Sequence, residues 1–300
     1  MVIMFALAAA VLYGSADFLG GAASRHSRAL SVAALSVPVG ALVMLAAAVV
    51  SGGQAPAAGL GWAIASGAFG AIGLMVFYAG LAAGPMSVVA PVSALVSTVL
   101  PVGVAVASGE HLGLFVYIGA AVCLMATVLV SLERGTPART PANAAARTPA
   151  KAVGTRFLGG HPALRGLAYG IVCGAMFGIF FVFLRNAGTS GVFWPVFTSR
   201  MANAAVVIAV AVLARARPVG RDAGSRVLAA AIGSGVLDAS ANLCYVLATR
   251  AGLFGIAAVL TSLYPGITVL LARVVLRERM QAVQRFGLLL AGVGVVLVTL

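Results

Sequence analysis

The sequence predicts an all-α integral membrane protein of ten transmembrane helices, arranged as two inverted five-helix repeats. Three observations lead there. First, 62% of the residues are hydrophobic and only 8% are charged, far from the roughly half apolar and quarter charged of a soluble domain. A chain of 300 residues with so little polar material cannot clothe a water-soluble globule, so lipid is its solvent. Second, ten runs approach the roughly 20 apolar residues that a bilayer core requires. Third, sliding the chain along itself by 168 positions superposes Ala83 on Ala251, Gly84 on Gly252, Ala90 on Ala258, Leu95 on Leu263, Glu110 on Glu278 and Gly119 on Gly287. Each copy holds five runs, and an odd number of crossings turns the second copy upside down relative to the first.

The runs are Val2–Ala23, Ala29–Val50, Gly59–Ala82, Pro85–Ala107 and Leu112–Leu132 in the first repeat (1–132), then Gly166–Leu184, Val192–Ala214, Val227–Ala248, Leu253–Leu276 and Val283–Leu300 in the second (165–300). All read as helices, because the alternating pattern of a membrane barrel is absent. Val2–Ala23 reads as a crossing and not as a cleaved signal, since no positive segment precedes it and it is too long and continuous. Between the repeats, 133–164 is rich in Pro, Thr, Ala and Arg, a composition that reads as a disordered basic linker. The connection at Ala83-Gly84 is so short that the third and fourth runs should form a tight antiparallel hairpin.

The net charge of +13 reads as topology. The cations sit between apolar runs, with no basic stripe or aromatic interleaving of the kind nucleic acid requires. Arg25 and Arg28 lie in the first loop, Arg134, Arg139, Arg147, Lys151 and Arg156 in the linker, Arg215, Arg217, Arg221 and Arg226 in the seventh loop, and Arg277 and Arg279 in the ninth. The even loops hold Arg185 and Arg250. Odd loops are therefore expected in the cytoplasm of a cell bounded by this inner (plasma) membrane, with both termini outside. Cys123, Cys173 and Cys244 lie singly in different runs and behave as small hydrophobes. His26, His111 and His161 lack metal-ligand spacing, and no cofactor motif or phosphate loop occurs.

Pro38, Pro91, Pro101, Pro195 and Pro265 interrupt runs and each removes an intrahelical donor. The freed carbonyls must face protein or a water-filled cavity. Gly170, Gly174 and Gly178 form a small-residue stripe, as do Gly67, Gly70 and Gly73. Such stripes serve helix packing within a monomer, with a homodimer seam as the lesser alternative.

An ionisable side chain at membrane depth is costly, which makes it a functional candidate. Glu110 and Glu278 precede helices, where a carboxylate suits the positive end of the macrodipole, and Glu133 and Asp222 fall in loops. That leaves Asp17 and Asp238. Asp17 is either a proton-exchanging acid or an acid reaching the interface or Arg25. Asp238 lies near the centre of the eighth run and Arg200 near the centre of the seventh, so opposite charges at similar depth suggest an ion pair, structural or functional. Asn242 and Tyr245 follow Asp238 at helical spacing, and Asn203 follows Arg200 by three, so a polar face lines a presumptive cavity. Tyr13 and Ser15 flank Asp17 on the first run. Trp62 and Trp194, near helix starts, suit interfacial anchors.

These residues give the chain a family likeness. It resembles the drug/metabolite transporter superfamily, EamA type, through Tyr13-Gly14-Ser15-Ala16-Asp17-Phe18, the mid-helix Arg200, and a Glu followed nine residues on by Gly at Glu110/Gly119 and Glu278/Gly287. The likeness covers nearly everything but the linker. Two departures stand out. Many relatives carry an Arg on the second helix, where this chain has Ser36-Val37-Pro38, and a Gln six residues after the Glu is present as Gln284 but is Val116 in the first half. The resemblance implies a secondary transporter, not an enzyme, of ten helices in two inverted repeats. Its cargo would belong among amino acids, nucleotide precursors, sugars, phosphorylated sugars and toxic organic cations. The expected function is export of a small polar or amino-acid-like solute with proton exchange at Asp17 or Asp238, and substrate contacts from Arg200, Asn203, Asp238, Asn242, Tyr245, Tyr13 and Ser15. The alternatives are a nonconducting membrane scaffold or a lipid-modifying enzyme.

Overall fold

The computed structural model describes residues 1–51, 58–83, 86–110, 113–131, 162–188, 191–216, 219, 224–275 and 281–299. Expectations for Gly84, the linker up to residue 161, Glu133, Asp222, Glu278 and several loop cations, Arg277 and Arg279 among them, lie outside the described residues. The helices are α1 (Val2–Ser24), α2 (Ala29–Val50), α3 (Leu60–Ala83), α4 (Met86–Ala107), α5 (Leu114–Ser131), α6 (Pro162–Gly188), α7 (Phe193–Leu213), α8 (Ser225–Ala251), α9 (Phe254–Thr261), α10 (Tyr264–Val275) and α11 (Ala282–Thr299). No strand forms among the described residues. Eight spans are long and apolar enough to cross a membrane, α9 and α10 together making one of them, and two shorter apolar helices, Leu114–Val130 and Ala282–Val298, accompany them.

Lipid offers no partner to backbone N–H and C=O groups, so helices close their own hydrogen bonds. Most ends match the apolar runs to within a few residues. Two differ. Helix α6 starts at Pro162, inside what composition marks as linker, because proline suits the first turn of a helix. The ninth run, expected as one helix, is broken at Ser262 and Leu263 into α9 and α10. Pro265 supplies the reason: it has no N–H for the preceding turn and disfavours helical geometry at Tyr264.

Packing relies on small residues. Ala6, Ala9, Ala16, Ala239, Ala241 and Ala248 are almost fully buried along α1 and α8, which lie against each other. Helix α3 packs on α6 and α7, α4 on α6, α2 on α7 and α8, and α5 on α11. A Cβ at Gly67 would strike the Ser199 carbonyl, and one at Gly235 the Ser36 carbonyl, so these crossings exist only because both positions are glycine. The Gly170-Gly174-Gly178 stripe faces Val92, Ser93, Val96 and Leu100 of α4. Its close contacts are thus within one chain and not at a dimer seam.

Candidate functional site

The site lies where α1, α7, α8 and α10 meet. Arg200 on α7 reaches across to α8 and donates from its terminal guanidinium nitrogen to Asp238 Oδ2. The two members differ in surroundings: the Arg200 side chain is 7% exposed and that of Asp238 is 35% exposed. A carboxylate this open halfway along a membrane helix is costly unless it meets water or a partner. Arg200 Nε, also buried, has no partner among the described residues. The guanidinium therefore keeps a donor in reserve for another oxygen.

One turn along α8 from Asp238, Asn242 donates from Nδ2 to the Asp238 carbonyl at 2.8 Å and accepts at Oδ1 from Tyr13 Oη, also at 2.8 Å. The amide is thereby fixed in one orientation. The Tyr13 ring sits 6.0 Å from that of Tyr264 on α10 and 6.1 Å, edge-on, from Phe181 on α6. Tyr13, Arg200, Asp238 and Asn242 thus form one connected set from α1, α7 and α8.

Asp17 lies one turn from Tyr13 on the same side of α1. It is exposed, and so is Gly21 one turn further, where nothing stands within 4 Å of an added Cβ. Its electrostatic neighbours are Asp238, Tyr264 and Tyr78 of α3. The helices packed on α1 include α2, α8, α9 and α10. Asp17 and Asp238 are two carboxylates close enough to interact electrostatically.

The remaining candidates go elsewhere. Tyr245 is fully buried, donates to the Phe181 carbonyl at 3.3 Å and meets that ring at 4.8 Å with the two planes tilted by 52°. Asn203 ends in the α3–α7 crossing, its Nδ2 against Gly70 and its Oδ1 without a partner among the described residues. Ser15, two residues from both Tyr13 and Asp17, points to the other side of α1.

Elsewhere, helix ends are tied together by residues whose sequence positions suggest only local helix capping. Gly109, at φ 86, ends α4 with paired bonds from Gly109 N to Val106 O and from Glu110 N to Ala105 O, a Schellman close that aims the next side chain outward. The Glu110 carboxylate then accepts from Phe254 N and Gly255 N, both at 3.0 Å. A carboxylate at a helix's positive end was expected, but the helix is α9 and not the following α5. Arg185 comes to 3.7 Å of Glu110 and lies 4.5 Å over the Phe254 ring, while Arg250 donates to the Gly188 carbonyl at 3.1 Å. Ends of α4, α6 and α8 are thereby tied to the start of α9.

Sequence reading missed Tyr264 and Tyr78 because a tyrosine in an apolar run carries no mark of its own. Asp17's position beside them was the available signal.

No curated protein matches this sequence. A solved crystal structure with 18% sequence identity superposes on 99% of this chain and 96% of its own, with a TM-score of 0.76, which shows a shared fold. Residues 164–300 match the model of the EamA-like transporter family. By that match the second half of this chain, which carries Arg200 and Asp238, is similar to the EamA-like transporter family, part of the drug/metabolite transporter superfamily.

Proposed function

We propose that this protein is a proton-coupled secondary exporter of a small polar, amino-acid-like metabolite, working by alternating access around the Arg200–Asp238 cavity. One observation carries the reading: an ion pair midway along α7 and α8 whose arginine is buried while its carboxylate is partly exposed, with a second acid, Asp17, among its electrostatic neighbours. A guanidinium with a donor in reserve suits a carboxylate-bearing cargo, which its fork can hold through two oxygens. Cargo and proton would occupy the site in turn, Asp17 and Asp238 giving up their proton before cargo loads on the inner side and taking one up on the outer side as cargo leaves. That exchange links cargo to proton without any covalent step.

We infer further that the halves are inverted repeats. Gly119 on α5 meets Val298 of α11, and Gly287 on α11 meets Val130 of α5, a reciprocal pair related by the same 168-position offset as Glu110 and Glu278. Gly67 against Ser199 and Gly235 against Ser36 form another. Such contacts arise when two like units face each other across a twofold axis. We infer that the cavity is open at the Asp17 end, where Asp17 and Gly21 are exposed, and closed at the Glu110 end, where Glu110, Arg185 and Arg250 tie helix ends together. With basic odd loops in the cytoplasm of an inner membrane and both termini outside, this arrangement faces inward, ready to load an export cargo.

Proton coupling is tested in proteoliposomes. An imposed pH gradient should drive net cargo movement in the wild type, and Asp17→Asn together with Asp238→Asn should abolish the driven component. Wild-type flux indifferent to the gradient would exclude proton coupling.

A further inference from the structure

Beside the Arg200–Asp238 pair, the break between α9 and α10 borders a small pocket. It is a cavity of about 10 Å³ walled by Ser97, Thr98 and Pro101 of α4, Phe181 of α6, Tyr245 of α8, Ala258, Thr261 and Ser262 along α9 and its end, and Tyr264 of α10. That is room for about one water-sized sphere. Its hydroxyl protons are already committed. Ser97 and Thr98 donate to the Ala94 carbonyl at 3.0 and 2.9 Å, Ser262 to that of Val259 at 2.7 Å, and Tyr245 to that of Phe181 at 3.3 Å. Each such hydroxyl has only lone pairs left to offer. Thr261 Oγ1 also lines the pocket without a partner among the described residues, on a residue 2% exposed.

The backbone adds to the same polarity. Pro101 withholds the N–H that the Ser97 carbonyl would meet in an unbroken helix, and Pro265 does so for Thr261. The negative end of the α9 dipole points to this break as well. A lone water donates two protons, fewer than the oxygens gathered here. Divalent cations draw on carboxylates and six or more oxygen ligands, and no carboxylate lines this pocket. Broken membrane helices use freed carbonyls and half-helix ends to hold small monovalent cations.

We propose that the pocket at the α9–α10 break binds one dehydrated, sodium-sized monovalent cation through the oxygens of Ser97, Thr98, Thr261 and Ser262. The ion joins α4 of the first half to the broken span of the second, so its occupancy stabilises their present arrangement. No acid lines this pocket, although Tyr264 borders both it and Asp17, and the ion's binding does not depend on whether cargo movement is proton-coupled.

Thermal unfolding of the purified full chain in detergent reads the binding directly, in NaCl, KCl or choline chloride at equal ionic strength. Sodium should raise Tm saturably, choline should not, and potassium should act more weakly because of its size. Thr261→Val should erase the sodium response. Should that variant fail to fold, Ser97→Ala with Thr98→Val should show the same loss. Asp17→Asn, in the other cavity, should keep the response, which separates the two sites. Identical Tm in sodium and choline for the wild type would overturn the proposal and leave water as the occupant. So would a sodium response that survives in the folded pocket variants.

Discussion

Removing one member of the Arg200–Asp238 pair should not cost the same as removing the other. Asp238→Asn leaves a guanidinium that is 7% exposed without its counter-charge, a loss of roughly 3–5 kcal/mol for a broken buried pair. Arg200→Gln leaves a carboxylate 35% exposed that the cavity can hydrate, so its loss should be clearly smaller. The double variant should recover part of the Asp238→Asn loss. Thermal unfolding of the three variants checks this, and strictly additive losses would contradict the coupling. The two charges were legible in the sequence because a charge in mid-run is itself the signal. Tyr264, Thr261 and Ser262 were not, because a hydroxyl can satisfy itself on its own helix and leaves no mark in an apolar run.

At the scale of the helices, two glycines with opposite surroundings offer a controlled comparison. Gly67→Ala drives a methyl into the Ser199 backbone and should destabilise by more than 1 kcal/mol, roughly the lower bound for overpacking. Gly103→Ala meets nothing within 4 Å and should be neutral or stabilise by about 0.5–1 kcal/mol, the helix-interior penalty of glycine. Equal effects on Tm would mean that the α3–α7 crossing is looser than described. Glu110→Gln should cost about 1 kcal/mol by removing the charge from the α9 cap, and Glu110→Ala more, since both N–H groups then lose their acceptor. Apolar length and punctuation made nearly every helix legible, but Pro265 was one of five prolines inside runs and nothing local singled out the span that breaks. The α9 cap was hidden, because it joins residues 144 and 145 positions apart and such a contact leaves no local pattern.

For the whole molecule, orientation and transport remain to be measured. A cysteine at position 2 should react with an impermeant maleimide in intact cells, and one in the loop between α7 and α8 should not, because cation-rich short loops stay in the cytoplasm. The reverse labelling would invert the topology and turn the open cavity outward. The proposed internal repeat rests in the sequence on a 168-position offset. The reciprocal glycine contacts were not legible, because a contact between residues of different helices leaves no local pattern. Transport itself can be measured before the cargo is known. Proteoliposomes loaded with a uniformly ¹³C-labelled cell extract are diluted into unlabelled extract, and mass spectrometry follows what leaves. One or a few small carboxylate-bearing metabolites should exchange faster from wild-type vesicles than from protein-free ones, and Arg200→Gln should abolish the difference. If no labelled compound leaves wild-type vesicles faster than protein-free ones, the protein is not a transporter of such metabolites.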